Sequence, residues 1–285
     1  MLLILLAAAA TAGAETPDTY AKPDLIVSAA MLAKEAGGTK FTVIDIRREV
    51  AYRDGHVPGS VNAVTGPWSR AVNEGKADAA FWKKQFALLG MKPSVPVVVV
   101  FDDIKSGCRV WWLLKTAGVP DARLLDGGWK AYVAAKGEIS KEPFTHPGPP
   151  MEWKADLARL ATKETVLTNL KDKAAQIVDG RSAAEYSGVL AMSKKGGHIP
   201  GAVPLEWSDF LDAKTKTFKP AGELKKLIAT HKIELDKPCV TYCQSGGRAA
   251  VVAFGLELMG AKQVRNYYKS WSEWGNDPNT PVEKK

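Results

Sequence analysis

Cys243 stands in the run Tyr242-Cys243-Gln244-Ser245-Gly246-Gly247-Arg248, between the short apolar segment CVTY and a longer stretch, 248–259, that is apolar almost all round. The first has the length and composition of a buried strand, and the second those of a buried helix. A cysteine between them sits at the carboxyl edge of a sheet, where open α/β sheets place their ligands. Gly246 and Gly247 let the backbone curl so that successive N–H groups converge, and the start of the following helix adds positive potential. With Arg248 as a fixed positive charge, such surroundings favour thiolate over thiol and admit an anion. The chemistry on offer is nucleophilic attack by sulfur, with Gln244, Ser245, Gly246 and Gly247 forming the cradle for an anionic substrate.

The elements that must position this loop come from a tandem repeat, because two stretches share landmarks in one order. The first reads VIDIRREVAY, HVPGSVNA, VVVVFDD, RVWWLLKTAG and LLDGGW; the second reads IVDGRSAAEY, HIPGAVPL, CVTYCQS, RAAVVAFGLELMG and NYYKSW. The proline-rich KEPFTHPGPP, 141–150, separates them as a linker. Short Val-rich runs alternating with longer helical patterns indicate buried parallel strands with helices on both faces. The expected fold class is α/β, with two copies of a small, mainly parallel sheet at 22–140 and 156–285 and a linker at 141–155. The 248–259 helix is expected to be buried and to end at Gly260.

The Cys243 loop, the doubled HxPGA-like segments and LDGGW together resemble the two-domain rhodanese family, over about 24–275 of the sequence. The resemblance implies tandem rhodanese-like domains and ping-pong sulfur transfer. Cys243 would attack the outer sulfur of thiosulfate, or of a related donor such as 3-mercaptopyruvate. The resulting persulfide would then pass its terminal sulfur to cyanide or a thiol, without cofactor or metal. Arg181 matches the arginine of the family that reaches the sulfur donor. Ser245 is similar to the CGSG loop of mercaptopyruvate-preferring members and Arg248 is not, so both donors stay open. Cysteine-dependent phosphatases also join strand, cysteine, loop, arginine and helix, but their loop is one residue longer. A reading from another class is a sulfur-relay or sensing module that acts by partner binding with little turnover.

The repeat supplies an internal control. Aligning VVVVF with CVTY places Asp102 opposite the nucleophile, so the first domain is expected to be catalytically silent. Features that both halves keep then serve the fold: His56 with His198, and Asp45 with Asp179. Arg181 has Arg47 as its counterpart, and Arg248 has Arg109 after a longer loop. Glu185 has none, since Ala51 stands in its place, and is expected to be an exposed or ion-paired glutamate. Cys108 and Cys239 read as core residues, and Trp207 as a residue at the border of the cleft.

The bulk composition fits a two-domain enzyme. A chain of 285 residues with 46% hydrophobic content can build two cores. The formal charge of +8 suits small anionic substrates, and no basic block marks a nucleic-acid partner. The start MLLILLAAAATAGAET has a signal-peptide h-region and the small-residue pattern Ala12-Gly13-Ala14, although no Lys or Arg precedes it. Residues 1–14 are therefore read as a leader, the mature chain as lacking an integral membrane segment, and its location as periplasmic or secreted. Three cysteines leave one thiol unpaired in a monomer. Cys239 and Cys243 would lie ~13 Å apart along a strand, too far to bridge.

Overall fold

In a computed structural model of the chain, residues 19–145, 147–149 and 151–284 are described, so the leader expected at residues 1–14 lies outside the described residues. The first sheet holds β1 (Ile26–Val27), β2 (Thr42–Asp45), β3 (Val61–Asn62), β4 (Val97–Val100) and β5 (Ala122–Leu125). The second holds β6 (Leu160–Ala161), β7 (Gln176–Asp179), β8 (Val203–Pro204), β9 (Cys239–Tyr242) and β10 (Val264–Tyr267). Their orders, β1-β5-β4-β2-β3 and β6-β10-β9-β7-β8, are the same topology twice. All pairings within the two sheets are parallel.

The central strands β4 and β9 are buried along their whole length, as continuous apolar runs require when helices cover both faces. Asp45 pairs with Val100 in the first sheet, and Asp179 with Tyr242 in the second. The residues that follow, Phe101 and Cys243, therefore leave equivalent points at the carboxyl edge of the two sheets.

One apolar cluster runs through both domains, and each keeps a second cluster of its own. Helix Gly247–Leu258 lies against helix Ile104–Thr116 of the first domain. Trp111 meets Phe254 edge-on with centroids 4.7 Å apart, and Trp112 stacks on Tyr268 at 5.1 Å. Each such buried ring contributes about 2–3 kcal/mol. This packing explains a helix that is apolar on every side: its own sheet covers one face and the partner domain another. Gly260, at φ +103°, follows its end as expected. The linker is laid on the first domain, with Trp153 buried 5.1 Å from the Phe86 ring.

Candidate active site

Cys243 is the first residue after β9, and its side chain is buried. Its backbone is held from both sides: the Cys243 N–H donates to Ser270 Oγ at 3.1 Å, and its carbonyl accepts the Trp271 N–H at 3.0 Å. The Gly246 N–H donates to Cys243 Sγ at 3.1 Å, so the loop amide expected to face the sulfur does so. Gly246 adopts φ +83°, and an added Cβ would come within 2.6 Å of the Tyr268 ring and 2.7 Å of its carbonyl. Conformation and space therefore both select glycine at this position.

Two buried polar residues that the sequence reading did not single out complete the cradle. Ser270, itself at φ +54°, donates from Oγ to the Tyr267 carbonyl while accepting from Cys243. Asn266 on β10 donates from Nδ2 to the Gly246 carbonyl at 3.1 Å. Strand register and the tryptophan contacts place Leu124 opposite Asn266 and Gly128 opposite Ser270 in the first domain. A polar residue where the other copy is apolar or lacks a side chain was the signal that could have found both.

Arg248 lies beside this loop, but its guanidinium is already engaged. Its Nη1 and Nη2 donate to the two oxygens of Glu185 at 2.5 and 2.8 Å. Burial would raise the Glu185 carboxyl, yet the Arg248 bonds prevail and hold it below the usual carboxylate range. Burial likewise works against the Arg248 cation, and Glu185 together with the Cys243 sulfur more than offsets it. Glu185 lies on the short helix Ala183–Ser187, which Ser182 Oγ caps while contacting Glu185 at 3.1 Å, and this fixes the carboxylate.

Arg181 goes elsewhere. Its side chain is only 1% exposed, with Nη2 donating to Asp179 at 2.6 Å and to the Gly197 carbonyl at 2.7 Å. The guanidinium lies 4.3 Å over the Trp271 ring. Arg47 repeats the arrangement with Asp45 at 2.6 Å, the Gly55 carbonyl at 2.7 Å and Trp129 at 4.0 Å. The structure thus does not bring Arg181 to the cleft: the strand-end aspartate holds it inward, in a device that the domain without the nucleophile also keeps. His198 and His56 are duplicated in the same way, stacked on Tyr186 and Tyr52 at 3.7 and 3.8 Å.

Phe101, not Asp102, is the counterpart of Cys243, because the Phe101 carbonyl accepts the Trp129 N–H at 2.8 Å just as that of Cys243 accepts Trp271. The Phe101 ring occupies the space a cradle would need, lying against Gly107 and Gly128. The other two thiols are sealed in the core. Burial pushes Cys239 up to about 12 and, with Asp103 and Asp126 nearby, raises Cys108 well above the usual thiol value.

Cys243 opens onto a cleft of about 600 Å³ between the domains. The second domain contributes Ser245, Arg248 and Trp207 to it, the last as expected from sequence, and the first domain contributes Ser69, Lys105 and Arg109. The cleft offers a nucleophilic sulfur, an N–H donor aimed at it, and cations from both halves. That set can accept an anion in line with the sulfur and hold the negative charge left on it.

The sequence pattern of the rhodanese-like domain matches residues 28–135 and 162–277. The thiosulfate sulfurtransferase of Azotobacter vinelandii is 31% identical, covering 93% of this chain and 99% of its own. That of Pseudomonas aeruginosa is 29% identical, covering 91% and 97%. The 3-mercaptopyruvate sulfurtransferase of Mus musculus is 31% identical, covering 81% and 80%. Among solved structures, the anaerobic ergothioneine biosynthesis enzyme of Chlorobium limicola shares the fold, with a TM-score of 0.74 over 93% of this chain and 71% of that one at 22% identity.

Proposed function

The chain belongs to the rhodanese-like family, as a tandem pair of its domains and a sulfurtransferase, and from that premise we propose that Cys243 carries sulfane sulfur from thiosulfate, or a related donor such as 3-mercaptopyruvate, to a thiol or cyanide. The observation that carries this reading is the Gly246 N–H donating to Cys243 Sγ at 3.1 Å on the floor of a cleft that also presents cations.

The first half-reaction conserves charge. The Cys243 thiolate attacks the outer sulfur of thiosulfate, a new S–S bond forms, the S–S bond of the donor breaks, and sulfite leaves with the electron pair. The product is a persulfide anion on Cys243. The Gly246 N–H and the helix start behind it lie where that charge is held. In the second half-reaction the acceptor, cyanide or a thiolate, attacks the terminal sulfur, and Cys243 returns as thiolate. Ser270 and Asn266, bonded to the Cys243 N–H and the Gly246 carbonyl, keep the loop and its N–H groups in place.

Each site residue has a part in this reading. Gly246 and Gly247 shape the anion cradle, Gln244 and Ser245 border it, and Arg248, locked to Glu185, supports the thiolate and the loop. Arg181 is assigned to the fold. Thiocyanate formation from cyanide with thiosulfate, and separately with 3-mercaptopyruvate, tests the reading and ranks the donors. Turnover with neither would contradict it.

The partners under this reading are a small anionic donor and a thiol or cyanide. Residues 1–14 are assigned as an export leader on the strength of their composition, and a mature N-terminus at Glu15 is the corresponding measurement. Among the described residues no helix is long and apolar enough to cross a membrane.

A further inference from the structure

A dianionic donor approaching a thiolate needs a cation that is not already neutralised, and the three cations of the cleft differ in that respect. Arg248 is held by both oxygens of Glu185. Lys105 Nζ lies 3.6 Å from Asp103 Oδ1 and 5.3 Å over the Trp207 ring. Arg109 has no carboxylate within 4.0 Å among the described residues.

Arg109 is nevertheless fixed in place. Its Nη2 donates to the Ser245 carbonyl at 3.0 Å, and its guanidinium lies 5.6 Å from the centre of the Tyr268 ring. It also fills the space above Gly247, where an added Cβ would come within 2.6 Å of it. A guanidinium has five N–H donors in a rigid fork. One is committed to the catalytic loop, and the others remain on a group that borders the same cleft as Cys243.

We propose that Arg109, carried by the domain without the nucleophile, is the cation that receives the anionic group of the sulfur donor. This rests on the sulfurtransferase reading for the identity of the donor, but the anion site itself does not. Arg248 then acts on the loop and the thiolate, and the anion subsite belongs to the other domain. Closing the two domains around Cys243 is what makes the site complete, so the first domain is a working half of the enzyme.

Two alkylating agents separate the roles, because iodoacetate carries a negative charge and iodoacetamide none. Cys243 alkylation is followed by peptide mass in wild type, Arg109→Gln, Arg109→Lys and Arg248→Gln, each checked for an unchanged fold by circular dichroism and Tm. Glutamine keeps an N–H for the Ser245 carbonyl. In Arg109→Gln the iodoacetate rate falls about tenfold relative to iodoacetamide, with the neutral rate little changed, as loss of one charge-assisted contact implies. Arg109→Lys recovers part of the ratio. In Arg248→Gln both rates change together, since that residue acts through the thiolate. With thiosulfate, Arg109→Gln raises KM by a similar factor and lowers kcat less.

An unchanged ratio in folded Arg109→Gln, or a ratio that falls in Arg248→Gln instead, overturns the assignment. If the ratio behaves as described but no donor loads wild-type Cys243, the anion site stands and the sulfurtransferase reading fails. If wild type turns over thiosulfate and the Arg109→Gln ratio is unchanged, the Arg109 assignment alone fails.

Discussion

Cys243 and Phe101 occupy the same place in two copies of one fold: each follows a central strand, and each offers its carbonyl to a tryptophan N–H, Trp271 at 3.0 Å and Trp129 at 2.8 Å. What differs is everything around the side chain. In the Cys243 copy the Gly246 N–H faces the sulfur, with Ser270 and Asn266 bonded to the loop backbone, whereas the Phe101 ring is wedged between Gly107 and Gly128. A thiol alone therefore does not make a site. The double variant Cys243→Ser/Phe101→Cys is expected to form thiocyanate at least about a thousandfold more slowly than wild type, and to lose about 3–5 kcal/mol of stability through the emptied ring space. Thiocyanate assay and urea denaturation check the two parts.

Glu185 and Arg248 form a pair in which each neutralises the other away from bulk water, with side-chain exposures of 5% and 22%. Removing one partner leaves an uncompensated charge. Arg248→Ala is expected to cost about 2–4 kcal/mol and to shift the Cys243 alkylation profile to higher pH. Adding Glu185→Gln to it should restore most of the stability but not the profile. A double variant as unstable as the sum of the single ones would mean that the two residues do not act as a pair.

Arg181 and Arg47 make matching contacts with Asp179 and Asp45, so the structure assigns both to the fold. Arg181→Ala and Arg47→Ala are each expected to destabilise by about 3–5 kcal/mol, because each strands a buried aspartate. The KM for thiosulfate, measured on the folded fraction, should not move in either. A selective rise in KM for Arg181→Ala would restore its expected role at the donor.

Asp126 at the domain boundary sets a pH dependence. Its Oδ1 accepts the Phe218 N–H of the other domain at 3.1 Å, and burial raises its carboxyl from 3.8 to about 6. Between those values the folded chain holds a proton that the unfolded chain has released. This contribution to stability is therefore complete below about pH 4 and is lost as the pH rises through 6. Asp126→Asn, which keeps the acceptor, is expected to stabilise the protein by about 1–3 kcal/mol at pH 7.5, with the difference shrinking toward pH 4. Denaturation curves at several pH values measure it, and an equal gain at every pH would remove the titration from the explanation.

The sequence carried the repeat and the Cys243 loop because both are local patterns: apolar runs of strand length, doubled motifs, and a cysteine before paired glycines. It did not carry the partners of the arginines. Arg181 and Arg248 both stand near strand or loop ends in the sequence, yet Asp179 turns the first inward and Glu185 holds the second at the cleft. Asp179 is only two positions from Arg181, and what the local pattern lacked was the inward turn of the pair, whereas Glu185 meets Arg248 across 63 positions of chain. Likewise, Arg109 reaches Ser245 across 136 positions of chain, through helix packing that no local window contains. The nucleophile's counterpart slipped by one residue, to Asp102, because VVVVF and CVTY can be aligned in more than one way, and strand register decided for Phe101.

Under the proposed function, Cys243 carries sulfur as a persulfide. Purified protein treated with thiosulfate, desalted and measured by intact mass should gain one sulfur atom, about 32 Da, mapped to Cys243. Brief treatment with cyanide should remove the gain and release thiocyanate, which distinguishes a persulfide from a sulfinic acid of nearly equal mass. Cys243→Ser should stay unmodified, whereas Cys108→Ser and Cys239→Ser should load as wild type does. A folded protein that never gains the cyanide-labile mass at Cys243, with either thiosulfate or 3-mercaptopyruvate, would contradict the account.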